Sequence, residues 1–205
     1  HEVMDILAEA ELSDTARKLA VKIFTILGEA EAKAHGTTLE NVHFHEVGAV
    51  DSIGDIVGAA VCLDNLGIQD VVIQELAEGH GMIGIANIVA AHGLDLQITE
   101  TEGELVTPTG AAIAAAIRTE EKLPKHFKIV KTGLGAGKRA YDRPSILRVM
   151  ILETTEGEKA ESGTDAVAAP AEKEELEIAN INKTVSAASR QIDNIELIAE
   201  KIGFE

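Results

Sequence analysis

At 205 residues and 45% hydrophobic content, the chain is long enough to bury one well-filled core or two small ones. Its 18 Lys and Arg against 35 Asp and Glu leave a formal charge of −17, which repels phosphate backbones, argues against nucleic acid as a partner and makes a cation the easier ligand. Four Phe, one Tyr and no Trp leave the core to Ala, Val, Ile and Leu and provide no aromatic platform for stacking bases or sugars.

The chain opens at His1 directly in a helical pattern, which reads as a piece of a longer protein. Between Ser13 and His35 the apolar positions Ala16, Leu19, Ala20, Ile23, Phe24 and Leu27 recur at helical spacing, and Gly36 supplies a stop. Residues 41–47 alternate like a strand, and Asp51 to Asn65 reads as a second helix closed by Gly67. Its core stripe is Ile53, Ile56, Val57, Ala60 and Leu63, while the small residues Gly54, Gly58 and Ala59 point to close packing against another backbone. Cys62 falls inside this pattern; a lone cysteine cannot form an intramolecular disulfide and suits a reducing cytoplasm.

A short β-rich run follows at Asp70 to Leu76, then a brief helix at Ala86 to His92 ended by Gly93. Thr107-Pro108-Thr109-Gly110 leads into the alanine-rich helix Ala111 to Arg118, and strands are expected over His126 to Thr132 and Ser145 to Glu153, joined by a Gly-rich, basic connection. From 154 to 175 the composition of Glu, Ala, Gly, Ser and Lys is that of an acidic flexible linker. Residues 176–205 carry a strand-like run at Leu176 to Ile181 and helical spacing from Val185 to Ile202, and read as part of a further C-terminal element. The expected class is α/β or α+β, a mixed sheet with packed helices over residues 1–153. No apolar run approaches the roughly 20 residues needed to cross a bilayer, so no membrane partner is expected.

Three places carry candidate chemistry. On a strand, His43 and His45 share one face, and two imidazoles one residue apart can hold one borderline transition metal together with carboxylates. Asp51 and Asp55, four apart at the start of the following helix, project from the same side, and Glu46 lies between. The same residues have a plainer reading: Asp51 as an N-cap, Asp55 as a first-turn carboxylate answering the helix dipole, and the histidines as hydrogen-bonded strand residues. Thr107, Thr109 and Gly110 form either a helix cap with Pro at the first position or a backbone cradle for an anion. Gly135 and Gly137, followed by Lys138, Arg139 and Arg143, lack the spacing of a phosphate-binding P-loop; they make a hairpin connection, and the basic residues are the best counter-charge for an anionic ligand.

The runs HFHEVGAVDSIGDIVGAAVCLDNLGI, GELVTPTGAAIAAA and GLGAGKR followed by RPSILRV, in this order, resemble the LarC family of nickel-pincer cofactor biosynthesis proteins over roughly residues 1–153. That resemblance implies insertion of nickel into pyridinium-3,5-bisthiocarboxylic acid mononucleotide, dependent on CTP with a divalent metal (Mg or Mn), the product serving lactate racemase-type enzymes. It strengthens the metal reading of the His-Phe-His-Glu segment: His43 and His45 are the expected nickel ligands, with Asp51 first among the carboxylates that add to them and Glu46 or Asp55 as a further ligand or the carboxylate accepting a proton, while Thr107, Thr109, Gly110, Gly135, Gly137, Lys138, Arg139 and Arg143 are expected near the mononucleotide's anionic groups. A homo-oligomer, a cofactor-receiving enzyme and a cytoplasmic setting go with it. The sequence departs from the family pattern after Gly79-His80-Gly81-Met82-Ile83, where a proline-rich run is replaced by Gly84-Ile85-Ala86-Asn87, and near Ile178 to Asn182, where the family's C-terminal opening motif is not recognisable. Nucleotide binding in the family belongs to that later part. The competing reading is a non-catalytic module that binds nickel for a larger protein.

Overall fold

The computed structural model describes residues 2–42, 49–80, 84–137, 141 and 145–154. Within them, helices α1 (Glu2–Glu9), α2 (Asp14–His35) and α3 (Ala49–Leu66) precede a strand–helix–strand unit of β1 (Leu76–His80), α4 (Ala86–His92) and β2 (Leu96–Glu102). Helix α5 (Pro108–Ile117) and the strands β3 (Phe127–Ala136) and β4 (Ile146–Thr154) complete the order. The mixed α/β character expected from the sequence is present, with the strands divided into a parallel pair, β1 with β2, and an antiparallel pair, β3 with β4.

The long amphipathic helix is central. Ser13 caps α2, its hydroxyl accepting the Ala16 N–H at 3.0 Å, and Gly36 closes it at φ 63°, a left-handed conformation that glycine adopts without steric cost. Its buried side, Ala16, Ala20, Ile23, Phe24 and Leu27, meets Ile53, Ile56, Val57 and Ala60 of α3 and Ala111, Ala112 and Ala116 of α5. Small alanines on α5 let these helices approach closely, and each fully buried Ile, Leu or Phe contributes about 1.5–3 kcal/mol. Leu7 of α1, Ile88 of α4 and the partly buried Leu76 and Leu96 of the parallel pair join the same core.

Three cations close helices. Arg17 reaches from α2 across the end of α1, donating to the carbonyls of Leu7, Ala8, Ala10 and Leu12. Lys22 donates to Ala116 O at 2.5 Å at the end of α5, and Arg118 donates to Gly93 O at 2.9 Å and His92 O at 3.0 Å at the end of α4. Each places a positive charge where the helix leaves carbonyls without internal partners and its dipole is negative.

Several expectations shift. The Val-rich run at Asp70 to Leu76 makes only an isolated bridge, Val72 with Glu120, and the strand begins at Leu76. Strand β2 lies where no element was expected. Among the described residues Gly54 and Gly58 do not mark close packing, since a Cβ at either would meet none of them within 4 Å, and Cys62 is exposed. Gly133 and Gly135 belong to β3 and not to its connection, because the ladder continues to Ala136 opposite Ile146. The expected strand at 41–47 begins in a 3-10 turn at Leu39–Asn41, and its remainder from 43 lies outside the described residues, as do 155–175 and 176–205.

Candidate functional site

The start of α3 and the start of α5 meet. Ser52 and Thr109, both buried, lie with their hydroxyls 3.2 Å apart, so two helix N-termini share one polar contact. Asp51 and Asp55 stand exposed beside it, on the same face of α3 as Gly54 and Gly58. Among the described residues neither glycine has a neighbour within 4 Å in that direction, so that face of the helix is uncovered by them. The Asp55 carboxyl is raised above its ordinary value, first by desolvation and then by the neighbouring Asp51 charge. Two carboxylates that repel each other at a helix start gain from a shared cation, while the dipole at that end opposes one.

At α5, Thr107 is the cap: its hydroxyl accepts the Gly110 N–H at 3.1 Å, and its carbonyl accepts that of Ala111 at 2.9 Å. Pro108 occupies the first turn and has no N–H. The backbone donors of this turn are thus largely engaged within the cap. Thr109, only 7% exposed, faces Ser52 and not solvent.

A buried carboxylate that sequence reasoning missed holds the approach to this cap. Glu78 of β1, with no exposed surface, accepts N–H bonds from Gly79 (2.7 Å), Leu105 (2.7 Å) and Val106 (3.1 Å). Three donors aimed at two oxygens suit a carboxylate and fix residues 105 and 106 immediately before Thr107. Next to it, Gly79 allows β1 to run against the end of β2: a Cβ there would lie 1.8 Å from Gly103 O. Nothing in the run Leu76–His80 signals this role except a lone acid in an otherwise weakly polar strand.

Tyr141, the chain's one tyrosine, donates its hydroxyl to Glu104 O at 2.5 Å. In the sequence it lies between Arg139 and Arg143, and its own contact is with the segment leading into α5. The structure therefore joins the start of α3 to the Thr-Pro-Thr-Gly turn through Ser52 and Thr109, and sets Tyr141 against Glu104, three residues before that turn. It does not place Gly135 in the β3–β4 connection, since Gly135 pairs with Leu147 inside the ribbon, and Gly137 lies just past the strand end. His43, His45, Glu46, Lys138, Arg139 and Arg143 lie outside the described residues. Among the described residues no cluster of three or more His, Cys, Asp or Glu is arranged to hold a metal ion. Also among them, no helix is long and apolar enough to cross a membrane.

The described site is thus that of a mixed α/β chain in which two helix starts meet beside a pair of exposed carboxylates. Comparison with known proteins gives that class its family. Residues 1–196 match the family model described as nickel insertion protein, and the chain belongs to that family. It is 51% identical over 164 residues to the pyridinium-3,5-bisthiocarboxylic acid mononucleotide nickel insertion protein of Alkaliphilus metalliredigens, covering 74% of this chain and 39% of that protein. The protein of the same name from Akkermansia muciniphila is 43% identical, covering 77% and 41%, and a putative nickel insertion protein of Geobacter sp. is 41% identical, covering 76% and 43%. The chain thus spans about two fifths of the length of these curated relatives. No solved structure matches it.

Proposed function

We propose that this chain supplies the nickel-holding and substrate-orienting part of nickel insertion into pyridinium-3,5-bisthiocarboxylic acid mononucleotide. The observation that carries the reading is the Ser52–Thr109 contact, which sets the paired carboxylates of α3 beside the Thr-Pro-Thr-Gly turn. In this reading nickel is a substrate, held by His43, His45 and Asp51. Forming a carbon–nickel bond at the pyridinium ring requires loss of a ring proton. Asp55, with its carboxyl raised, is suited to accept that proton at neutral pH, and Glu46 is the second candidate. Lys138, Arg139 and Arg143, on either side of Tyr141 in the sequence, supply counter-charge for the mononucleotide's phosphate or carboxylates.

The lyase class, the need for CTP with Mg or Mn, a cytoplasmic setting, homo-oligomerisation and delivery to a receiving enzyme belong to the same proposal, with residues 1–153 as the site-bearing domain, 154–175 as a linker and 176–205 as part of a further element. A second reading has a specific observation behind it: the chain matches only about two fifths of its relatives. On that reading it is a nickel-binding module whose insertion step needs the remaining length.

Calorimetric titration with nickel, on the wild type and on His43→Ala/His45→Ala, tests the metal assignment. Stoichiometric binding lost in the double variant is the expected result, and equal binding in both would sink it. Turnover of the 205-residue chain supplied with the mononucleotide, CTP and metal separates the insertase from the module.

A further inference from the structure

The meeting of α3 and α5 sets two hydroxyls among aliphatic side chains. Ser52 and Thr109 are 5% and 7% exposed, and the other buried residues of their helices are Ile53, Ile56, Val57, Ala60 and Val61 on α3 and alanines on α5. The two oxygens are 3.2 Å apart, beyond the roughly 2.7–2.8 Å usual for O–H···O, so the bond is a weak one. Replacing both partners of such a pair by apolar groups of the same shape is nearly neutral or stabilising, because two desolvated hydroxyls leave together. Net stability therefore does not account for the pair.

Direction does. Burial of an Ile and Val stripe beside alanines is non-directional and leaves a helix free to roll, whereas a hydrogen bond fixes an angle. The α5 side of the contact is itself anchored, since Glu78 holds the N–H groups of Leu105 and Val106 and Thr107 caps the helix. At the far end of α3, Asp64 accepts from the Ser13 hydroxyl at 2.7 Å, which ties that end to the start of α2. Helix α3 is thus held by a side-chain hydrogen bond near each end, and the one near its start lies beside the exposed Asp51 and Asp55.

Resting on the reading of these carboxylates as part of the nickel site, we propose that Ser52 and Thr109 are positioning residues for nickel insertion. Their contact pins the rotation of α3 and so fixes where Asp51 and Asp55 stand relative to the start of α5. Thr109 then aligns the site and does not touch the mononucleotide. Side chains end about 5–6 Å from a helix axis, so a roll of about 10° carries a carboxylate through about 1 Å. A misplacement of that size can cost about a hundredfold in rate.

Thr109→Val and Thr109→Ser in the 205-residue chain separate alignment from packing. Valine keeps the shape and loses the hydroxyl; serine keeps the hydroxyl and loses a buried methyl. Calorimetric nickel titration and thermal melting are read on both, on Ser52→Ala and on Ser52→Ala/Thr109→Val. Nickel affinity is expected to follow the hydroxyl, falling about tenfold or more in Thr109→Val and in the double variant and staying close to wild type in Thr109→Ser. Stability is expected not to follow it: Thr109→Ser melts below wild type, and the double variant melts no lower than Ser52→Ala. Unchanged affinity in the double variant, with stoichiometric binding in the wild type, overturns the proposal and leaves the nickel reading standing. So does affinity that falls only in step with melting temperature across the set, which would make the pair a packing element. No stoichiometric binding in the wild type would be the failure of the nickel reading itself, and the pin falls with it.

Discussion

Replacing Glu78 by Gln tests whether a single buried carboxylate organises the approach to α5. Oε1 accepts from Gly79 and Leu105, and Oε2 accepts from Val106. An amide keeps one oxygen; turned to preserve the first two bonds, it sets its NH2 group against the Val106 N–H, donor against donor. Hydrogen bonds to a charged group are worth about 1.5–3 kcal/mol and neutral ones about 0.5–1.5 kcal/mol. One bond lost and two weakened therefore predict a destabilisation of about 3 kcal/mol, since the site has no exposed surface through which water could replace the missing acceptor. For a domain of this size that is about 6–12 °C in Tm. Thermal and urea unfolding followed by far-ultraviolet dichroism would measure it, with the exposed Glu75→Gln as a control expected to stay within about 0.5 kcal/mol. A loss below about 1 kcal/mol for Glu78→Gln would refute the reasoning, because the three N–H groups would then have found other partners.

Asp55→Asn should raise stability at neutral pH while weakening nickel binding on the order of tenfold. The sign follows from linkage: with its folded pKa raised, the folded chain keeps a proton the unfolded chain releases, so the contribution of Asp55 to stability falls as pH rises above the ordinary carboxylate range. Melting curves across pH should show the advantage of the Asn variant vanishing in acid, and an advantage that grows in acid would contradict the assignment. Ser13→Ala removes the α2 cap together with the bond from Ser13 Oγ to Asp64 at 2.7 Å, and should lower stability by about 1–2 kcal/mol, read as a shifted urea midpoint at unchanged slope.

The helices could be read from the chain because their signals are local. Ser13 and Gly36 bracket α2, Gly67 and Gly93 end α3 and the helix at 86–92 in left-handed conformations, and Thr107-Pro108 starts α5, each effect acting within about four residues. The aliphatic core followed from the same periodicity, and Ile53, Ile56, Val57 and Ala60 are buried as a stripe. The family resemblance was legible too, because the three motifs are fixed in type and order along the chain.

What the tertiary structure decided is what depends on distant partners. Leu76–His80 has little strand character of its own and becomes β1 because it pairs with β2, from Leu76 with Leu96 to His80 with Glu102, while the more β-prone Val71 and Val72 find only the residues after α5. Glu78 becomes a buried anchor because the N–H groups of Leu105 and Val106 arrive 27 and 28 residues later in the chain. Ser52 with Thr109, and Tyr141 with Glu104, join segments 57 and 37 residues apart, and no local pattern announces either. Sequence spacing determines which side chains share a face of one helix or strand; which faces meet is set by the packing of α3 and α5 against α2, and the candidate site is a consequence of that packing.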